Sequence, residues 1–343
     1  MTPRRVASTR LSTHRRRHVT AMVTLVAIAA VAVAVRLLID RDPITRILTL
    51  RWAEPDWLPL RLTSAIAGAA LGAALATAGT LLQAALRNAL AAPSLLGVSS
   101  GAGLGVMVVL WAGHALDMHA SQGTLAVGAF VGAMAALLLV IRLGTRGGWP
   151  DPVTTILAGV IVATMASAGM VLLQSLVPEV MRGEFLAWAM GTVPDVPARG
   201  LLIAVGVCAV AVIVAGSVLG GWLDALLLGD DTAASIGAHP GLVRLICLVV
   251  AGLLTAGCVA LAGPLAFVGL VAPHAARRML GPSHRLLVPA AALAGMALVV
   301  GADALRQAVD LGTGRLPVGV MTTLIGGPAF LLLLRREVRH AQV

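Results

Sequence analysis

The chain has no lysine, and all 25 of its basic residues are arginines. The nucleotide-binding P-loop reads GxxxxGK[ST], and its lysine contacts the β- and γ-phosphates of the bound nucleotide. A chain without lysine cannot contain this loop. We therefore expect that this chain is not an enzyme that hydrolyses ATP.

Charged residues are scarce, at 12% of the chain, whereas soluble domains contain about 25%. Hydrophobic residues make up 59%, and the mean hydropathy is +0.95. A helix needs about 20 apolar residues to cross roughly 30 Å of hydrocarbon, and such runs recur along the whole chain. Strand-like alternation is absent, so a β-barrel is not expected. The composition predicts an all-α integral membrane protein in a lipid bilayer.

Ten apolar runs are the expected transmembrane helices. They form one polytopic domain over residues 19–335, between a basic N-terminal tail (1–18) and a C-terminal tail (336–343). The first run resembles a signal peptide, but no convincing cleavage site precedes Asp40, so we expect an uncleaved span. The expected spans are 19–35, 62–84, 95–113, 123–143, 153–176, 200–221, 243–262, 265–279, 286–304 and 316–334.

The uncharged stretch 245–276 is too long for one straight helix, and Gly263-Pro264 interrupts it. We interpret it as one span followed by a short return helix. With ten spans both termini lie in the cytoplasm, together with 16 of the 25 arginines, as the positive-inside rule favours. The net charge of +10 therefore reflects membrane topology, and no nucleic acid is expected as a partner.

A weak internal repeat links the two halves of the chain. The small residues of 66–79 recur 184 positions later in 250–263, and the pairs Ala92-Pro93 and Ala272-Pro273 follow them. An offset of five spans inverts the second copy in the membrane, which is a common plan of transporters. The pattern predicts an inverted repeat of spans 2–5 and 7–10.

No set of catalytic or metal-binding residues stands out. Cys208, Cys247 and Cys258 lie singly in apolar runs, so we expect buried, inert thiols. His274 has no cysteine or carboxylate within a helical turn, so no zinc site is expected. Charges lie near the span ends, and the nearest candidate for an intramembrane carboxylate is Asp303 in the ninth span.

The segment 228–240 carries a different kind of signal. Asp230 and Asp231 are placed for the first turn of a short helix, where carboxylates interact favourably with the helix dipole, and Gly237 is placed to end it. A short capped helix would offer a surface to a partner protein, while an ordinary solvated loop is the alternative.

Several long motifs occur at consistent spacing over roughly residues 55–335. They are Arg61-Leu62, Gln83, Arg87-Asn88, Ala92-Pro93, 96–101, 157–159, 228–237, 267–274, 316–320, 323–326 and Pro328. This pattern resembles the FecCD-type permease family, the membrane subunits of ABC importers for ferric siderophores, haem and vitamin B12. The resemblance implies ten helices, a dimer of identical or related permeases, two ATPase subunits inside and a substrate-binding protein outside.

The resemblance also assigns roles to residues. The implied ATPase-coupling loop contains Leu228, Gly229, Asp230, Asp231, Ala233 and Gly237, and a second cytoplasmic segment contains Pro273, His274, Arg277 and Arg278. The implied docking residues for the binding protein are Arg61 and Arg306, and the implied gate is Val153, Thr154 and Thr155. Ser64 stands where the family often has a second docking arginine, so this interface is expected to be weaker or differently charged.

We expect a ferric siderophore importer permease in the inner membrane of a bacterium. The chain itself is expected to bind no metal or cofactor, and ATP and Mg²⁺ belong to the ATPase partner. A haem or vitamin B12 permease and an ion-coupled secondary transporter remain alternatives, and a membrane-embedded enzyme is a third. The sequence leaves the identity of the chelate open.

Overall fold

A computed structural model describes residues 3–41, 48–52, 55–309 and 316–341, with side chains over 16–39, 48–52, 55–309 and 316–332. Residues 1–2 and 342–343 of the two expected tails lie outside the described residues. Twelve α-helices form this part of the chain. They are α1 Pro3–Leu38, α2 Leu58–Ala85, α3 Val98–Ala115, α4 Gln122–Leu143, α5 Pro152–Ser175, α6 Glu179–Ala189, α7 Arg199–Leu227, α8 Asp230–Ser235, α9 Pro240–Ala262, α10 Val268–Leu280, α11 His284–Ala308 and α12 Val318–Ala341.

The expected all-α membrane class is confirmed. Eight helices of the described part are long and apolar enough to cross a membrane, and 318–332 is a shorter apolar stretch of α12. The expected return helix is α10, with 13 residues. Gly263 ends α9 with a φ of +70°, and Pro264 follows it, so the break in 245–276 lies where the sequence predicts it.

α2 is the central helix, and most of its residues are buried. It contacts α1, α7, α9, α10 and α11. Glycines allow this close packing, because a Cβ at Gly72 would lie 2.2 Å from the carbonyl oxygen of Gly295. A Cβ at Gly79 would lie 1.8 Å from the carbonyl oxygen of Gly269. The small-residue motif of α2 is therefore explained by helix packing.

α2 and α9 run in opposite directions through the bundle. Arg61, in the first turn of α2, donates from Nη1 to the carbonyl oxygen of Leu37, whereas Arg87 follows the end of α2 and pairs with Asp230. Arg244, near the start of α9, also pairs with Asp230. The predicted inverted repeat requires this antiparallel pair, and the repeat itself stays a prediction.

Several elements go beyond the sequence prediction. A 3₁₀ helix spans Pro93–Leu96, and two short antiparallel hairpins pair β1 Ile39–Arg41 with β2 Leu48–Leu50 and β3 Thr145–Arg146 with β4 Trp149–Pro150. The helix α6 follows the fifth span, where the sequence suggested only a connection. Cys247 and Cys258 are buried as expected, but Cys208 is only partly buried because α7 exposes much of its surface.

Candidate functional site

Two clusters of ion pairs lie at opposite ends of the bundle in the described part of the chain. The end that carries α8 is called the α8 end, and the end where α1 ends, with Arg36 in its last turn, is called the Arg36 end. α2 spans the distance between them.

The predicted short helix at 228–240 exists as α8. Asp230 and Asp231 occupy its first turn, and Gly237, with a φ of +86°, follows its C-cap residue Ile236. The Ala238 N–H donates to the Ala233 carbonyl oxygen over 2.9 Å, and the Gly237 N–H donates to that of Ala234 over 3.0 Å. This is a Schellman motif, so α8 is capped at its C-terminal end. Its coupling role stays a prediction.

The Asp230 carboxylate connects α8 to two other elements. Arg87 Nη2 donates to Asp230 Oδ1 from the turn after α2, and Arg244 Nη2 donates to the same oxygen from α9 over 2.8 Å. Asp230 is 45% exposed at its side chain, whereas Arg244 is only 3% exposed. One acidic residue of α8 is thus joined to two arginines that lie on different helices or turns.

Arg244 contacts three segments at once, and the sequence interpretation did not select it. Its Nε donates to the Ala85 carbonyl oxygen over 2.9 Å, and its Nη1 donates to the Pro150 carbonyl oxygen over 3.0 Å. Its Nη2 binds Asp230. A planar guanidinium with five donors suits three acceptors in different directions. The available signal was a single arginine in the first turns of a long apolar run.

Arg87 adopts a strained backbone conformation. Its φ is +47°, in the left-handed region, where a residue with a Cβ costs about 1–2 kcal/mol. It occupies the position after the α2 C-cap that glycine usually fills. Its side chain donates from Nε to the Leu226 carbonyl oxygen over 2.7 Å and also reaches Asp230. These contacts offset the strain and explain an arginine at this position.

The predicted gate residues start α5, next to this network. Asp151 is the N-cap: its Oδ2 accepts from the Thr154 N–H over 2.9 Å and from Thr154 Oγ1 over 2.7 Å. These hydrogen bonds, the backbone one foremost, lower the pKa of Asp151. Thr155 is fully buried, with Oγ1 3.4 Å from the Gly144 carbonyl oxygen, whereas Val153 is 67% exposed. The gate role stays a prediction.

The predicted second segment lies at the same end on α10. Arg277 Nη2 donates to Gln83 Oε1 of α2 over 3.2 Å, and His274 is buried against the Phe330 ring at a centroid distance of 6.0 Å. Pro273 is buried inside α10, and Arg278 is exposed. Of the four residues, Pro273 and His274 are thus buried, Arg277 is partly buried, and Arg278 is exposed.

Exposed apolar side chains surround α8. Leu228, just before the helix in the chain, is 66% exposed, and Ile236, just after it, is 61% exposed. Leu227 and Leu242 nearby are also exposed. Apolar side chains beside a charged, capped helix are typical of a protein-binding surface. Ile236 lies inside the predicted segment, but the sequence interpretation did not select it as a contact residue.

A cluster of buried charged side chains lies at the Arg36 end. Arg36 Nε donates to Asp303 Oδ2, and Arg306 Nη2 lies 2.8 Å from Asp303 Oδ1. Asp303 and Arg36 are each 1% exposed, and Arg306 is 6% exposed. Arg306, predicted to dock the binding protein, is therefore held inside the protein by Asp303 in this structure. Its docking role stays a prediction.

Arg61 lies at the same end and is more accessible. Its Nη1 donates to the carbonyl oxygens of Leu37 and Ile39 over 3.3 and 3.4 Å, and its side chain is partly exposed. Ser64 is buried, and its Oγ donates to Asp195 Oδ1 over 2.9 Å. An arginine at position 64 would have to fit into a buried position and would remove this serine hydrogen bond. The missing second arginine thus has a local structural reason.

Known proteins resemble this chain over most of its length. The FecCD transport family matches residues 23–336. The hemin transport system permease protein HmuU of Yersinia pestis is 34% identical over 281 residues, which cover 82% of this chain and 83% of HmuU. The ferric enterobactin transport system permease protein FepD of Escherichia coli is 35% identical over 289 residues, covering 82% of each chain.

The fold resembles a solved structure as well. An inward-facing metal-chelate type ABC transporter superposes with a TM-score of 0.79, covering 93% of this chain and 99% of that chain. The two chains are 24% identical, so this similarity concerns the fold alone.

Proposed function

Because this chain belongs to the FecCD transport family, we propose that it is the permease subunit of an ABC importer that carries a metal chelate into the cytoplasm. The observation that carries the proposal is α8, a capped helix at one end of a membrane bundle, flanked by the exposed side chains of Leu228 and Ile236. Such a surface suits a partner that pushes on the membrane subunit from one side.

In this proposal the energy comes from separate subunits. The chain has no lysine and therefore no P-loop, so ATP and Mg²⁺ bind to two ATPase partners. ATP binding and hydrolysis move α8, and the bundle alternates between outward-facing and inward-facing states. The chain binds no cofactor of its own.

The proposed orientation places the α8 end in the cytoplasm and the Arg36 end outside, in a bacterial inner membrane. Both termini then lie in the cytoplasm, and 16 of the 25 arginines are on the cytoplasmic side. The binding protein docks at the Arg36 end, where Arg61 is accessible. Charged pairs at the rim of such an interface mainly steer and orient the partner.

A second permease, identical or related, completes the pathway. α5 supports this part of the proposal, because Val153, Leu157, Ile161 and Met165 form an exposed apolar row that starts at the predicted gate. We propose a ferric siderophore as the cargo, with haem and vitamin B12 as alternatives, since one relative is named for hemin transport and another for ferric enterobactin transport.

The rival proposal, an ion-coupled transporter, has less support. Such a transporter commonly relies on an ionisable group within the membrane. The candidate Asp303 instead lies between two arginines, Arg36 and Arg306, near one end of the bundle.

The test is to purify the chain from its native membrane in mild detergent and to identify what accompanies it. A P-loop ATPase in equal amounts supports the importer. A chain that is isolated alone and drives uptake from an ion gradient would exclude it.

A further inference from the structure

The hydrogen bonds of Arg244 form a continuous connection between α8 and α5. Asp230 of α8 binds Arg244 Nη2 over 2.8 Å, and Arg244 Nη1 donates to the Pro150 carbonyl oxygen over 3.0 Å. The next residue, Asp151, caps α5 through Thr154. Two residues, Arg244 and Pro150, thus separate α8 from the N-cap of α5.

The other contacts of this region hold Arg244 in place. Its Nε is fixed on the Ala85 carbonyl oxygen over 2.9 Å, at the buried end of α2. The Trp149 ring lies 5.5 Å from the His239 ring, just before α9, and packs closely against Gly241. The hairpin of β3 and β4 and the start of α9 are therefore packed together, and the Arg244 side chain is held between them by hydrogen bonds.

We propose that Arg244 is the positioning residue through which movement of α8 reaches the N-terminus of α5. The inference rests on the proposed function, which makes α8 the input from the ATPase. It assigns to Arg244 a role that Arg87 does not share: Arg87 also binds Asp230, but its other side-chain hydrogen bond goes to the Leu226 carbonyl oxygen at the end of α7.

The experiment uses the complex isolated with its ATPase and measures movement at both ends of the connection. Single cysteines replace Ala234 on α8 or Val153 on α5, both exposed, in a Cys208→Ala background. Alkylation by a polyethylene-glycol maleimide is followed as the gel shift of this chain alone. The rates are compared with and without ATP, Mg²⁺ and vanadate.

In the parent complex we expect trapping by vanadate to change the alkylation rate at both positions. In Arg244→Gln we expect the change at Ala234→Cys to persist and the change at Val153→Cys to be lost. Arg244→Lys should behave in the same way, because one ammonium cannot serve three acceptors that face three different nitrogens. Arg142→Gln, at an exposed arginine of α4, is the matched control and should keep both changes.

Asp230→Asn is a second test variant, for use if the complex with Arg244→Gln does not assemble. It removes the charge pair and leaves the hydrogen bonds of Arg244 to Ala85 and Pro150. The same selective loss at Val153→Cys is expected.

Two outcomes would overturn the inference. Either both positions still respond in the variants, or both responses are lost together, as a merely structural role predicts. If neither position responds in the parent, the proposed function itself fails, so the two failures are distinguishable.

Discussion

A cluster of three buried charged side chains stabilises the Arg36 end of the bundle. Asp303 is the acidic partner of two arginines, and all three side chains are almost fully buried. Breaking a buried ion pair by removing one partner leaves an uncompensated charge, which costs about 3–5 kcal/mol. Asp195 also faces Arg36, but its side chain is 48% exposed and its Oδ1 is 4.0 Å from Arg36 Nη2.

We therefore expect Asp303→Asn to lower the stability of the purified protein by about 3 kcal/mol or more, since two buried arginines lose their counter-ion. The matched variant Asp195→Asn should change stability by less than about 1 kcal/mol, because exposed pairs contribute little. Thermal unfolding in detergent measures both. Equal losses in the two variants would contradict this account of the cluster.

At the residue scale, the sequence predicted where charged residues lie in the helices better than it predicted which residues they pair with. It placed Asp303 near a span end and Asp230 in the first turn of a short helix, and both are found there. It did not pair Asp303 with Arg36, because the two lie 267 positions apart and only the packing of α1 on α11 joins them. Arg244 was missed for the same reason.

Glycines allow neighbouring helices to approach each other closely. α2 and α11 cross where a Cβ on Gly295 would lie 2.2 Å from the Gly72 carbonyl oxygen and 2.6 Å from Ala76 Cβ. Elsewhere on α11 the constraint is absent, because a Cβ at Gly301 would meet nothing within 4 Å.

We expect Gly295→Ala to destabilise the bundle by about 1–3 kcal/mol, the usual cost of overpacking. Gly301→Ala adds the same methyl group to the same helix and should cause no loss. The fraction that remains monodisperse after heating in detergent measures the difference. A loss in both variants would mean that the crossing is not the cause.

The element α8 supports a second prediction. Ile236→Glu places a charge in the proposed ATPase interface, so we expect much less ATPase to accompany the purified chain. Leu116→Glu is the control, at a similarly exposed leucine after α3, which ends away from α8. Quantitative mass spectrometry of the purified complex measures the ratio. An unchanged ratio for Ile236→Glu would remove this surface from the interface.

At the element scale, the sequence predicted the long helices because each needs a long uncharged run, and such runs are visible in one chain. It missed α6 and the two hairpins, since they are short and their pairing or packing is set by neighbours. The 11 residues of α6 include Glu179, Arg182 and Glu184, so this helix does not have the long uncharged run that marks a membrane span.

At the scale of the whole molecule, the two ends of the bundle have different tasks. The α8 end is proposed to receive the ATPase, and the Arg36 end is proposed to receive the binding protein. We expect Arg61→Glu to weaken docking of that protein, most visibly at low salt, because screening shortens the reach of charges to about 10 Å at 0.1 M salt. Arg142→Glu, on the opposite end, should leave the affinity unchanged. Equal affinity for Arg61→Glu and the parent would remove Arg61 from the docking surface.

The central claim is that ATP hydrolysis on another subunit drives solute through this chain. The most direct measurement is uptake of a radiolabelled ferric siderophore into proteoliposomes that contain the purified complex, with its binding protein outside. We predict uptake only when ATP and Mg²⁺ reach the α8 end, and no loss of uptake when ion gradients are collapsed. Uptake that follows an ion gradient without ATP, by this chain alone, would contradict the account.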